Sequence, residues 1–266
     1  MEETVFNMLF SPLCSGSGGN ASYAEAGGAR LLIDAGLPAR RVEALLREIG
    51  AAPEALDGIL VTHEHSDHIA GVGVLSRRYD LPVYANAGCW AKMRPALGDI
   101  RPRNLRVVEP GREFFIRSLG ILPFPTPHDA ASPVGYALRA EGRRIALMTD
   151  IGHVSDGMLE AVAGVDLLLI EANHDVDMLR AGGYPYALKM RILSARGHLS
   201  NEDAGRVLAR LYRTGLRSAI LGHLSRDNNT PELALLTVQS VLEEAGIGDM
   251  ALHMALRDRP CGLFEL

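Results

Sequence analysis

The stretch His63-Glu64-His65-Ser66-Asp67-His68 constrains this chain more than any other part of it. Three imidazoles and a carboxylate fall within six residues, in a chain with nine histidines among 266 residues. The apolar run Gly58-Ile59-Leu60-Val61-Thr62 leads straight into it. A run this short and this rich in branched side chains reads as a buried β-strand. A helix spaces its ligand pairs three or four residues apart, so H-x-H-x-D-H is too dense for one helix face. The pattern suits a turn that opens at a strand end. His63 and His65, two apart, face the same side of extended backbone, and Asp67 and His68 follow as the chain turns. Imidazole with carboxylate suits zinc, manganese or iron rather than calcium. The competing reading is a polar loop with chance histidines, and the scarcity of histidine elsewhere weighs against it.

Three more apolar runs end in the same manner. Residues 145–149 lead to Asp150, 167–170 to Glu171, and 219–222 to His223. In layered α/β folds, polar groups at strand ends line one crevice. A buried charge without a partner is costly, and metal ligation supplies one. For any one of these residues alone, a cap or a hydrogen-bonded side chain is an equally good reading. The ordered set favours a shared site.

Two further positions complete the order. Asp34 closes Arg30-Leu31-Leu32-Ile33, and His128 follows Pro123-Phe124-Pro125-Thr126-Pro127. From about Ser15 to His223 the chain resembles the metallo-β-lactamase superfamily, for which H-x-H-x-D-H after a strand is specific. The resemblance implies an α/β fold, an αβ/βα four-layer sandwich, and two divalent metal ions, zinc, manganese or both. It implies that His63, His65 and His128 hold one ion, that Asp67, His68 and His223 hold the second, and that Asp150 bridges them. Asp67 would also take part in catalysis, and Asp34 would orient the ligand loop from behind.

The segment Gly197-His198-Leu199-Ser200 resembles the additional histidine motif of the nuclease branch of that superfamily. It implies that His198 is a catalytic acid–base or phosphate-contacting group, with Glu171 behind it. The bland alternative is a helix-start histidine that merely packs. The small-residue loop Ser15-Gly16-Ser17-Gly18-Gly19-Asn20 would let backbone N–H groups approach an anion closely. No G-K-[ST] follows it, so it is not a P-loop, and a plain hairpin turn is its alternative. This loop, residues 171–175 and residues 197–205 together resemble the YycJ/WalJ-like nucleases. That likeness implies a 5′→3′ DNA exonuclease acting on ends that bear a 5′-phosphate. Ser15, Gly16, Ser17 and Asn20 would contact the end phosphate. Lys189 and Arg191 would contact the strand, because residues 179–201 carry four basic residues, no acidic ones, and two tyrosines. A basic stretch with aromatics suits a nucleic-acid strand, and a solvated face is its alternative. A small-molecule or cyclic-nucleotide phosphodiesterase is the nearest competing function. A glyoxalase II-like thioester hydrolase, which needs the metals but not His198, is the next. An inert scaffold protein would have no need of the complete ligand set.

Net charge is −5, so any phosphate site must be local rather than a global basic surface. Cys14, Cys89 and Cys261 are far apart and form no C-x-x-C, which points to reduced thiols and a cytoplasmic setting. Met1-Glu2-Glu3 does not resemble the basic start of a secretory leader. No apolar run approaches a membrane span, so no membrane partner is expected. Strands and helices alternate along the chain. Helices are expected over 39–50, 72–79, 88–97, 155–163 and 200–212, with a last one opened by Thr230-Pro231. The whole of 1–266 reads as one domain, its oligomeric state open.

Overall fold

The computed structural model describes residues 8–266. Met1-Glu2-Glu3, on which the expectation about a leader rests, lie outside the described residues.

Apolar residues on both faces of the central strands build a layered sandwich. Along β3 (Ala29–Ile33), Leu31 and Ile33 face an interior cluster while Leu32 faces a second cluster on the other side. Along β12 (Ser218–Gly222), Ile220 faces that same interior, and Ala219 and Leu221 face outward to helices. Alternation with both faces apolar is what a strand buried between two layers requires.

Two seven-stranded sheets result. The first has the order β14 (Phe264–Glu265), β1 (Leu9–Cys14), β2 (Ala21–Ala26), β3, β4 (Gly58–Leu60), β5 (Val83–Ala85), β6 (Leu105–Val107). The second has the order β13 (Ala251–Met254), β12, β11 (Leu167–Glu171), β10 (Arg143–Met148), β9 (Val134–Ala140), β8 (Leu119–Pro125), β7 (Phe114–Ile116). Each sheet begins as an antiparallel meander and continues as parallel strands. The change falls at β3 in one sheet and at β10 in the other. This shared topology is a repeat that the amino-acid sequence does not display.

Helices cover the two outer faces. Next to the first sheet are α1 (Ala39–Glu48), α3 (Val72–Tyr79) and α4 (Ala87–Leu97), anchored by Val42, Leu45, Leu46, Leu75, Trp90 and Met93. Between α1 and α3 lies the single turn α2 (Ser66–Ile69). Against the second sheet pack α5 (Asp156–Ala161), α8 (Asn201–Tyr212) and α9 (Pro231–Glu244). Before α8 come the short α6 (Val176–Ala181) and α7 (Tyr186–Ile192). Ser155, Ser200 and Thr230 cap α5, α8 and α9, each accepting a backbone N–H three residues on. The buried hydroxyl of Tyr136 donates to the Val61 carbonyl at 2.9 Å and ties one sheet to the other. Among the described residues no helix is long and apolar enough to cross a membrane.

The architecture is the expected αβ/βα sandwich. Local details differ from the sequence reading. The helix expected over 39–50 stops at Glu48, and Gly50 takes the left-handed conformation with φ of 78°. The turn expected to carry Asp67 and His68 is a single helical turn.

Candidate metal centre

Register brings the polar strand ends abreast. Ile33 pairs with Leu60, Met148 with Ile170, and Glu171 with Gly222. Asp34, Asp150 and His223 then leave their strands with φ near +55° to +60°. Such a conformation in a residue with a Cβ costs of order 1–2 kcal/mol each. Three such residues at the ends of three strands, all pointing at one site, mark strain held in place by their partners.

The hydrogen bonds of Asp34 explain its placement. Its Oδ1 accepts from Thr62 N at 2.8 Å, and its Oδ2 accepts from Thr62 Oγ1 and faces His68 Nδ1, both also at 2.8 Å. Asp34 therefore holds a proton on His68 Nδ1, and the ring turns its Nε2 toward Asp150 Oδ2, 3.2 Å away. Asp34 acts on the ligand loop from behind, the type of contact that fixes the tautomer of a ligating histidine. His128 is held in the same way. Its Nδ1 lies 3.2 Å from the Gly197 carbonyl, and its own carbonyl accepts two bonds from Arg196. Its Nε2 then faces Asp150 Oδ1 at 3.7 Å. Gly197 is required here, since a Cβ would lie 2.1 Å from the Ile192 carbonyl oxygen.

Asn20 is the third organiser. It is buried, and its amide oxygen accepts from Gly16 N and faces His223 Nδ1 at 3.2 Å. Its amide nitrogen reaches the Gly16 carbonyl and lies 3.1 Å from His68 Nε2. His223 Nε2 is thereby aimed at Asp150 Oδ1, 3.3 Å away. Gly36 makes the approach possible, because a Cβ on it would lie 1.6 Å from the Asp67 carbonyl oxygen.

Four sets of side chains have ligand atoms within 4.8 Å of one another: His63–His65–His128, His63–His68–Asp150, His128–Asp150–His198 and Glu171–His198–His223. His63, His65 and His128 come together as the sequence reading expected, and His63 Nε2 stands 3.0 Å from His65 Nδ1. Asp150 touches both halves of the cluster. Asp67 is in none of these sets and approaches His68 Nε2 at 3.7 Å.

The donor set fits divalent cations. Asp150 Oδ2 is buried and makes no hydrogen bond of acceptable geometry, although a ring nitrogen stands 3.2 Å away. Lone pairs of imidazoles and a carboxylate converge on one buried space, and a cation is what such a space accommodates. The electrostatics of the cluster point the same way. Burial pushes His63 and His128 down, so they stay neutral. Burial also opposes charge on His68, but the Asp150 and Asp34 carboxylates outweigh it and hold its imidazolium well above the ordinary range. Burial would raise Asp150, yet His223 and His68 hold its carboxyl well below the usual range.

Next to this centre, Glu171 Oε1 lies 2.7 Å from His198 Nδ1, and Glu171 Oε2 accepts from Ile151 N. Burial opposes protonation of His198, but the Glu171 carboxylate pushes its pKa up to about 9. His198 stacks on His223, ring centroids 5.4 Å apart. A cleft of about 210 Å³ opens over these rings, lined in part by Ser17, Tyr184, Arg191 and Ser225.

The loop of residues 15–20 divides in two. Ser15 and Asn20 turn inward, and Ser15 Oγ accepts the backbone N–H of His223 at 2.8 Å. Gly16 is buried too. Ser17 alone of the four expected contacts lines the cleft. The N–H groups of residues 15, 16, 19 and 20 are taken by internal acceptors. Among the described residues, those of Ser17 and Gly18 have none. Arg191 lines the cleft while paired to Asp129 at 3.1 Å, and the Lys189 ammonium is bound to the Arg180 carbonyl outside the cleft lining. Sequence reasoning missed Asn173 and Ser225 as cleft residues, which only fold-long contacts bring there; Tyr184 belongs to the basic segment already expected to meet the strand.

Comparison with known proteins agrees with this geometry. Residues 29–224 match the family model described as beta-lactamase superfamily domain. The chain is similar to exodeoxyribonuclease YycJ of Bacillus anthracis, 45% identical over 239 residues covering 90% of each chain. It is similar to exodeoxyribonuclease WalJ of Streptococcus pneumoniae serotype 2, 44% identical over 241 residues covering 90% of each. Its fold matches the crystal structure of the metallo-beta-lactamase fold protein YhfI from Bacillus subtilis, with TM-score 0.73 and 17% identity over 98% of this chain and 100% of that one. By the matched family model, the two close relatives and the strand-end ligand cluster alike, the chain belongs to the metallo-β-lactamase superfamily.

Proposed function

We propose that the protein is a metal-dependent phosphodiester hydrolase, a 5′→3′ exonuclease acting on DNA that bears a 5′-phosphate. The observation that carries the chemistry is the Glu171–His198 pair beside the Asp150 cluster. A thioester hydrolase has no use for a histidine held protonated there. The identity of 44–45% with two exodeoxyribonucleases supports DNA as the substrate.

In this reading His63, His65 and His128 would hold one ion, Asp67, His68 and His223 would hold the other, and Asp150 would serve both. Zinc or manganese suits these nitrogen and oxygen donors. When bound, the ions supply Lewis acidity and an acidified water. His198, kept protonated by Glu171, donates its Nε2 proton to the leaving alkoxide or to a phosphoryl oxygen. Asp34, Asn20 and the Gly197 carbonyl hold the rings so that no reorientation is needed during turnover. Ser17 Oγ and the N–H groups of Ser17 and Gly18 receive the end phosphate, and Arg191 contacts the strand from the opposite wall. Residues 1–266 act as one domain in the cytoplasm.

The test is hydrolysis of 5′-phosphorylated duplex DNA, matched RNA and a small chromogenic phosphodiester, each with Mn²⁺, Zn²⁺ or Mg²⁺. Preferential loss of nucleotides from DNA is expected. Turnover confined to the small diester would replace the nuclease reading with a small-molecule phosphodiesterase.

A further inference from the structure

The cleft has two walls of different character. On the α7 wall the basic groups are already engaged. Arg191 pairs with Asp129, the Lys189 ammonium is 2.6 Å from the Arg180 carbonyl, and Arg196 braces the His128 carbonyl. Arg180 itself is 3.9 Å from Asp177. A cation that already holds an internal acceptor gains less from a phosphate, because the existing contact must first be given up.

The other lining residues include Ser17, from the loop of residues 15–20, and Ser225, from the segment after His223. Gly16 is where the two segments meet. A Cβ on Gly16 would lie 3.5 Å from the Leu224 carbonyl oxygen and 3.5 Å from Cγ of Arg257. The Arg257 chain thus lies over the loop, beside the residue that precedes cleft-lining Ser17. Arg226 follows Ser225, which lines the cleft, and is exposed. Arg259 is exposed two residues beyond Arg257, and Arg41 donates to the Asp258 carbonyl, bringing a further guanidinium to the same turn. Among the described residues, Arg226, Arg257 and Arg259 have no hydrogen bond or ion pair. Of the neighbouring carboxylates, Asp227 accepts from Tyr184 at 2.8 Å and Asp258 stands between Arg257 and Arg259.

We propose that Arg226 and Arg257, with Arg259 behind them, form the phosphate track for the nucleic-acid strand entering the cleft. The proposal rests on the nuclease reading above, and places the main electrostatic grip on the loop wall instead of on the α7 wall. Like charges gathered at a surface without internal partners repel one another. A strand that spaces phosphates along the rim relieves that repulsion and releases its own counterions. Ser17 and the free N–H groups of Ser17 and Gly18 then stand between the track and the metal centre, where the end phosphate arrives.

The experiment compares wild-type protein with Arg226→Ala/Arg257→Ala. A control double variant, Arg94→Ala/Arg213→Ala, removes two exposed arginines elsewhere. Binding of a 5′-phosphorylated single-stranded oligodeoxynucleotide is followed by fluorescence anisotropy in EDTA across a salt series. Degradation is followed separately with Mn²⁺. Loss of two phosphate contacts should flatten the slope of log K against log salt by about 1.4. The rim variant should also raise the KM for DNA by at least tenfold more than the KM for a small chromogenic diester. The control should keep the wild-type slope. If the rim variant keeps the wild-type slope while wild-type protein degrades DNA, the track is wrong and the nuclease reading stands. If wild-type protein binds DNA through the rim but never degrades it, the nuclease reading is wrong and the track stands. Absence of DNA binding by wild-type protein would overturn both.

Discussion

His198 Nδ1 stands 2.7 Å from Glu171 Oε1, and this pair lies directly against the Asp150 cluster, 4.0 Å from its nearest oxygen. Glu171 is fully buried and His198 is partly open to the cleft. In the metal-free protein the carboxylate overcomes the burial penalty and keeps the ring protonated to about pH 9. His198→Ala should therefore cut phosphodiester hydrolysis by about 10²–10⁴-fold, the range for a positioned acid–base group. Metal content should stay at the wild-type value. Unchanged turnover with unchanged metal content would remove His198 from the chemistry.

The same pair makes a prediction about the metal-free protein. The folded pKa of His198 lies above the unfolded value, so the folded state holds the extra proton. Its stabilising contribution is complete below about pH 6.5 and is lost as pH rises through about 9. Urea melts of EDTA-treated protein should give a midpoint that falls across this window. Glu171→Gln should flatten the fall, and a fall of equal size in that variant would assign it to other groups.

Asp150 should be the residue least able to be replaced. Its Oδ1 is 3.3 Å from His223 Nε2 and 3.7 Å from His128 Nε2, and its Oδ2 is 3.2 Å from His68 Nε2. Asp150→Ala should abolish hydrolysis and take metal content, read by elemental analysis, well below that of wild-type protein at both positions. An active variant that had lost a single ion would contradict the bridging role.

Metal uptake should release protons. Ligation needs neutral imidazole at His68, whose imidazolium the Asp150 and Asp34 carboxylates hold well above the ordinary range. Calorimetric titration at pH 7 in buffers of different ionisation enthalpy should show heats that scale with the buffer, and affinity should weaken as pH falls. Heats independent of the buffer would mean that the rings are already neutral.

Much of this centre was legible in the chain because strand periodicity and ligand type are local properties. His63, His65 and Asp150 declare themselves at the ends of apolar runs. Helices α6 and α7 were not legible, since six and seven residues are too few to show a helical period. Asn20 was read as a phosphate contact from its small-residue loop. Its partners His68 and His223 lie 48 and 203 residues away, so nothing nearby in sequence could show that the side chain turns inward. Asn20→Ala should therefore weaken metal binding by about 10–100-fold, the usual cost of losing a group that orients a ligand. Competition with a chelator measures it. A rise in KM for DNA at wild-type metal affinity would restore Asn20 to the phosphate.

Polarity is the sharpest test of the cleft. Ser17 lines it, and among the described residues the N–H groups of Ser17 and Gly18 have no acceptor. Gly18 has nothing within 4 Å of where a Cβ would lie, so an anion can approach its backbone. A terminal phosphate there would set the next phosphodiester against the centre, and the chain would shorten from its 5′ end. Removing the 5′-phosphate should then slow degradation of an otherwise identical duplex, and a 5′ label should leave in the first products. Ser17→Pro deletes one N–H together with the hydroxyl and should erase most of the difference between phosphorylated and unphosphorylated ends. Melting of the variant by circular dichroism checks that the fold survives. Release of a 3′ label first, or indifference of the wild-type protein to the 5′-phosphate, would show that the strand lies in the cleft the other way round.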